Sequence, residues 1–339
     1  KDQPGNMRPQ AIFLAAIAAL TTTASAIDIG GALPGGVTER LTPAIRETAR
    51  DTVDLLRDRK RAIREALDGV RDTVGRRLAE DGSARSDAVD FYPDGTRAVH
   101  GEILATAPSG EAAAVWEAQG LDILRRDRLE PLGIEIVVLR APDGVDGRTA
   151  LDRLRTADPQ GSYDLNHIYD PSSDGAPATT GLVPAAGSCE GCRIGVIDSG
   201  ADTDHPDLRR ARIDTRSFAG ETPLPSIHGT AVAALLAGRE GAARGAHLFL
   251  ADVYGGEAEG GSAEAIARAL AWLATEETPV VTMSLAGPPN AVLQAAVAAM
   301  IARGHLLVAA VGNGGPAAPA AYPAAYPGVE SEERGVAEA

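Results

Sequence analysis

Asp198 and His228 stand thirty residues apart, one where an apolar run ends and the other where a helical run begins. The run Ile194, Val196, Ile197 stops at Asp198-Ser199-Gly200, so a buried strand delivers a carboxylate to its C-terminal edge. In open parallel sheets that edge is where ligands and chemistry are found. Ser226-Ile227-His228-Gly229-Thr230 opens an alanine-rich stretch and sets an imidazole at a helix start, with Gly229 and Thr230 small enough for close approach. An aspartate that accepts the Nδ1 proton would fix the ring's tautomer and stabilise its imidazolium, as an acid and a histidine do in nucleophilic catalysis. Ser284-Leu285-Ala286-Gly287 ends a second apolar run in small residues able to pair with an extended peptide. Asn313, between two glycines after Leu306–Val311, reads alone as a turn residue; beside the other segments its amide becomes a donor to a developing oxyanion. The histidines at 100, 167, 205, 247 and 305 have no such setting and are expected to be structural or on the surface.

Cys189 and Cys192 are the two cysteines of the chain, spaced Cys-Glu-Gly-Cys. That spacing serves a redox pair, a local disulfide or two metal ligands. A redox pair is normally followed by a helix that lowers the thiolate pKa, and here a strand follows instead. In an exported chain a small local disulfide is the expectation. No His-Glu-x-x-His or two-pair Cys/His spacing occurs, so no metal ligand is assigned and no cofactor is expected.

The elements that must position these residues form an alternating series. Strands are expected over 193–197, 246–253, 280–285 and 306–311, and helices over 228–237, 262–274 and 290–302. Continuous apolar strands in that order imply a doubly wound parallel sheet covered on both faces. Ahead of it, residues 98–170 read as strand, helix, strand, strand, helix, strand, with bounds 99–106, 109–119, 121–128, 134–140, 149–156 and 162–169: a small α+β, ferredoxin-like block. Asp164, Asn166 and His167 near its end read as a polar strand end before a linker.

The remainder falls into flanking pieces. Residues 1–6 precede the first methionine and read as an upstream leader. Residues 7–26 have a basic start, a ten-residue apolar stretch and Ala-Ser-Ala, the pattern of a cleaved signal peptide, and the apolar stretch is too short to span a bilayer. The chain is therefore expected to be exported, periplasmic or extracellular, with no membrane span after cleavage. Residues 27–90 read as a linker and an amphipathic helical extension over 38–79, 91–170 as the ferredoxin-like block, 171–187 as a cleavable linker and 188–339 as the α/β domain. A length of 339 residues with 44% hydrophobic content supports two packed cores, and a net charge of −15 argues against a nucleic-acid partner.

Ile194 to Leu208, His228 to Ala233, Met283 to Gly287 and Ala309 to Asn313 resemble, in order, the signature segments of the subtilisin-like serine proteases. The resemblance covers roughly residues 190 to 327. It implies a doubly wound α/β peptidase with Asp198 and His228 in a catalytic triad, Asn313 in the oxyanion hole, and Ser284 to Gly287 along the cleft for an extended polypeptide substrate. It also implies that the block before the linker is a prodomain, a partner that assists folding and covers the cleft until cut, and it allows structural calcium without marking a site.

The family's nucleophile lies in a Gly-Thr-Ser-x-Ala segment downstream of the oxyanion asparagine, and no such segment occurs here. The only serine after Asn313 is Ser331, in Glu330-Ser331-Glu332-Glu333, where neighbouring carboxylates oppose an alkoxide. The 188–339 domain is thus expected to be truncated, with its final strands missing. Two functions follow: a secreted subtilisin-like endopeptidase precursor that is inactive as it stands, or a non-catalytic peptide-binding pseudoprotease or prodomain chaperone or inhibitor. A thiol oxidoreductase using Cys189 and Cys192 is the third and weakest reading.

Overall fold

The computed structural model describes residues 88–106, 111–172, 188–257, 260–312 and 319–331. The expected leader, signal peptide, helical extension over 38–79 and most of the linker lie outside the described residues, as does Asn313.

The first block contains β1 (Val89–Phe91), β2 (Arg97–Thr106), α1 (Ala112–Ala118), β3 (Asp122–Leu129), a 3₁₀ turn at Glu130–Leu132, β4 (Ile134–Arg140), α2 (Gly147–Ala157) and β5 (Ser162–His167). Its antiparallel sheet runs β5-β2-β4-β3, the ferredoxin-like order, and β1 adds a hairpin along the start of β2. The run Ile134–Leu139 is apolar at almost every position because both faces of β4 are covered. Val137 and Leu139 pack on Trp116 and Leu154 of the block's own helices, whereas Ile136 and Val138 join a core shared with the second block.

That second block comprises β7 (Arg193–Asp198), β8 (Arg212–Ser217), α3 (Ile227–Ala237), β9 (His247–Asp252), α4 (Ala263–Thr275), β10 (Val280–Met283), β11 (Leu285–Ala286), α5 (Ala291–Ala302), β12 (Leu306–Ala309) and β13 (Glu330–Ser331). Its sheet runs β13-β12-β10-β7-β9-β8, every pair parallel. Helix α3 covers one face through Val232, Ala233 and Leu236. Helices α4 and α5 cover the other. From β7 the chain runs to the edge strand β8, returns to β9 beside β7, then crosses to β10 on the opposite side, so a topological switch falls beside the end of β7.

Several details depart from the sequence reading, the hairpin strand β1 among them. Strand β8, Arg-Ile-Asp-Thr-Arg-Ser, was not expected: it is a polar sheet edge and lacks the apolar run of its neighbours. The expected strand 280–285 breaks after Met283, and Leu285–Ala286 leaves the sheet to pair antiparallel with β6 (Asp170–Pro171). Glu330–Ser331, expected as a polar tail, forms an edge strand against β12.

Asp164, Asn166 and His167 do more than end a strand. The N-termini of α4 and α5 present backbone N–H groups with no partner inside the helix. Asn166 Oδ1 accepts the N–H of Glu264 at 3.2 Å, and Asp164 Oδ2 accepts that of Ala291 at 2.9 Å. Asn290, the cap of α5, donates through Nδ2 to the Leu165 carbonyl and lies 3.1 Å from His167 Nδ1. Asn166 also donates to Glu102, and Glu102 and Glu264 share Arg125. One strand of the first block thus completes two helices of the second. Asn166→Ala is expected to leave the Glu264 N–H unsatisfied, to remove one of the donors of buried Glu102, and to cost about 1–3 kcal/mol. Urea unfolding checks this; an unchanged midpoint would contradict it.

Candidate active site

Strand β7 places Asp198 at its C-terminal end, 1% exposed. Its Oδ1 accepts from Ser199 N at 2.6 Å, Ser199 Oγ at 2.9 Å and His228 Nδ1 at 2.7 Å. His228 is the second residue of α3, which is capped by Ser226 Oγ accepting the Gly229 N–H at 3.0 Å. Ser226 Oγ also meets Ser199 Oγ, so the cap of α3 and the turn after β7 form one hydrogen-bonded unit. Gly229 is required at this crossing: a Cβ there would come within 2.2 Å of the Ser199 carbonyl oxygen. Close approach of helix to strand end brings the imidazole onto the carboxylate.

Burial pulls the His228 pKa down, but the hydrogen bond and charge of Asp198 outweigh it, and the ring titrates above the ordinary histidine value. Among the described residues no side chain hydrogen-bonds the other ring nitrogen, Nε2. Ser199 and Ser226 lie on the aspartate side of the pair. Ser331 is in register with Ala309, Met283 and Ile197 across β12, β10 and β7. Three interstrand spacings put it roughly 14 Å from the end of β7, out of reach of His228.

The predicted cleft residues lie beside the pair. Ser284 N–H donates to the Ile197 carbonyl at 3.2 Å, and its carbonyl accepts the Ser172 N–H at 3.1 Å. Leu285 and Ala286 pair with Pro171 and Asp170. Gly287 bridges to Tyr322 and is overlain by the ring of Tyr169; a Cβ on Gly287 would reach within 2.5 Å of it. Tyr169 donates its hydroxyl to the Pro288 carbonyl at 2.8 Å and its N–H to the Gly261 carbonyl at 2.9 Å. A cavity of about 720 Å³ opens between Ala286–Pro289, Gly312 and the tip of the β1–β2 hairpin.

Tyr169, Ser172 and Gly261 were not singled out as site residues. Their partners lie far along the chain, and the only local signal was a polar stretch leading into a linker. Tyr254, also unanticipated, is half-buried with its hydroxyl enclosed, and burial followed by the charge of Asp198 pushes that hydroxyl well above the usual range. Cys189 and Cys192 are joined as a disulfide just before β7. Among the described residues no three His, Cys, Asp or Glu side chains group to hold a metal ion. No described helix is long and apolar enough to cross a membrane.

The doubly wound sheet thus presents buried Asp198 and half-buried His228 at its switch point, next to a short strand, β11, that pairs with an extended segment of the chain. Residues 190–332 match the subtilase family, peptidase S8. Similar proteins include the major intracellular serine protease of Bacillus subtilis, 32% identical over 152 residues, with 40% of this chain and 48% of that protein covered. Subtilisin Savinase of Lederbergia lenta is 38% identical over 145 residues, covering 40% and 52%. The chain spans about half the length of these relatives. Among solved structures, fervidolysin from Fervidobacterium pennivorans, a keratinolytic enzyme related to subtilisin, superposes with a TM-score of 0.56 at 19% identity, over 71% of this chain and 44% of that one. The likeness establishes a common fold.

The pair carries a pH signature. With a folded pKa above the unfolded value of about 6.5, His228 contributes stability that is fully present below the unfolded value and lost as pH rises through the folded one. Asp198→Asn removes the charge, so the His228 titration, followed by the NMR shift of its ring Cε1 proton, is expected to move to lower pH. An unmoved titration would show that Asp198 does not govern the ring.

Proposed function

We propose that the chain carries the front half of the machinery of an exported subtilisin-like serine endopeptidase precursor. In this reading Asp198 orients His228, whose Nε2 takes the proton of an attacking serine and returns it to the leaving amine, while the Asn313 amide donates to the oxyanion. The supporting observation is the 2.7 Å Asp198–His228 contact at the end of the strand whose neighbour binds an extended segment.

The first block acts as the prodomain in this reading. Its capping of α4 and α5 supports a role in folding the second block. In this reading its last residues follow β11 as a peptide would, with the Ser172 N–H on the Ser284 carbonyl, and the bond to be cut follows Ser172. A peptide-binding function without turnover uses the same cleft, and the pairing of β6 with β11 favours it for the 339-residue polypeptide taken alone.

Two results test the proposal. The 339-residue polypeptide is expected to resist labelling by a fluorophosphonate, since among the described residues no serine hydrogen-bonds His228 Nε2; stoichiometric labelling would overturn this. A polypeptide extended by a segment bearing Gly-Thr-Ser-x-Ala is expected to hydrolyse peptides, to release a form whose N-terminal sequence starts at Ser173, and to lose kcat on the order of 10⁴-fold with Asp198→Asn. A folded extended protein that neither turns over nor processes would sink the peptidase reading.

A further inference from the structure

The cleft strand is held by backbone pairing, by Tyr169 and by one side-chain ion pair, and the ion pair does not come from the cleft. The Asp170 carboxylate points outward, 71% exposed, and meets the guanidinium of Arg97 at the start of β2. The same Arg97 accepts the Ile168 N–H on its carbonyl at 2.9 Å, so a single residue grips the segment through backbone and side chain together. The cleft residues around Asp170, from Ala286 to Pro289, carry no cation. A chain with a net charge of −15 offers an acidic residue no general attraction either.

We infer that Arg97 is a positioning residue that fixes the 170–172 segment in the course that pairs with Leu285–Ala286, by tying Asp170 to the start of β2 within the first block. The cleft itself offers an acid at this place no partner, so the segment's alignment comes from the first block. Peptides bound there in place of the segment gain nothing from an acidic residue at the place of Asp170. The inference rests on the cleft reading above.

The test uses the full chain and hydrogen exchange, read by mass spectrometry on the peptide spanning Ile168 to Ser172, whose Tyr169 and Ser172 amides are both bonded to the second block. Arg97→Glu or Asp170→Arg alone is expected to speed exchange there by about fivefold, the upper range for an exposed ion pair, and more where like charges face each other. The charge swap Arg97→Glu with Asp170→Arg is expected to return exchange to within about twofold of wild type, which a merely structural role for either residue would not produce. Slow exchange in wild type that neither single variant alters, or single-variant effects that the swap does not rescue, overturns the clamp and leaves the docked segment standing. Unprotected exchange in wild type overturns the docked segment and the clamp with it.

Discussion

A carboxylate removed from water must be supplied with donors by the chain around it, because an unpaired buried charge costs more than a domain can bear. Asp198 is that carboxylate, and much of the local architecture is the means of satisfying its Oδ1, while Oδ2 is buried with no partner among the described residues. Three donors converge on Oδ1: two come from Ser199 in the sharp turn after β7, and the third is His228. Bringing His228 there requires α3 to start against the turn, which in turn requires a residue without a side chain at 229 and a cap, Ser226, that bonds the turn as well as the helix. The geometry that would do chemistry is therefore also the geometry that makes the strand end tolerable.

The two faces of the parallel sheet are closed by different means. On one, α3 packs its small residues directly onto β7 and β9 and needs nothing further. On the other, α4 and α5 have apolar outer surfaces and N-terminal N–H groups that the second block does not itself cover. The sheet of the first block supplies Leu104, Ile136 and Val138 to that surface, and β5 supplies the acceptors. Burial of apolar area contributes most of the attachment energy, while the capping bonds fix the register, since a one-residue slip of β5 would leave the Glu264 and Ala291 N–H groups bare.

What was legible in the sequence follows the same division. Asp198 and His228 could be paired from the residues alone because each sits where a periodic pattern breaks, and the strand and helix series around them is carried by apolar runs that burial on both faces demands. Strand β8 and the hairpin strand β1 were missed because an edge needs no apolar run and three residues make no period. The roles of Asp164, Asn166 and Tyr169 were illegible for another reason. Their partners at Ala291, Glu264 and Gly287 lie about a hundred residues or more away, and nothing local distinguishes a polar strand end that faces water from one that caps a distant helix.

Ser284 is where sheet and cleft meet. On one side its N–H closes the ladder onto the Ile197 carbonyl, one residue before Asp198, and on the other its carbonyl receives the Ser172 N–H. One residue thus fixes the distance between a segment lying in the cleft and the Asp198–His228 pair through covalent and ladder geometry, with no side chain involved. In the proposed reading, any peptide that added to Leu285–Ala286 would inherit that distance whatever its sequence. Selectivity among peptides would then have to come from groups outside this backbone frame: the absence of a side chain at Gly287, where the Tyr169 ring lies in this structure, the cavity beyond Ala286, and, for the chain's own segment, the arginine that aligns it from the first block.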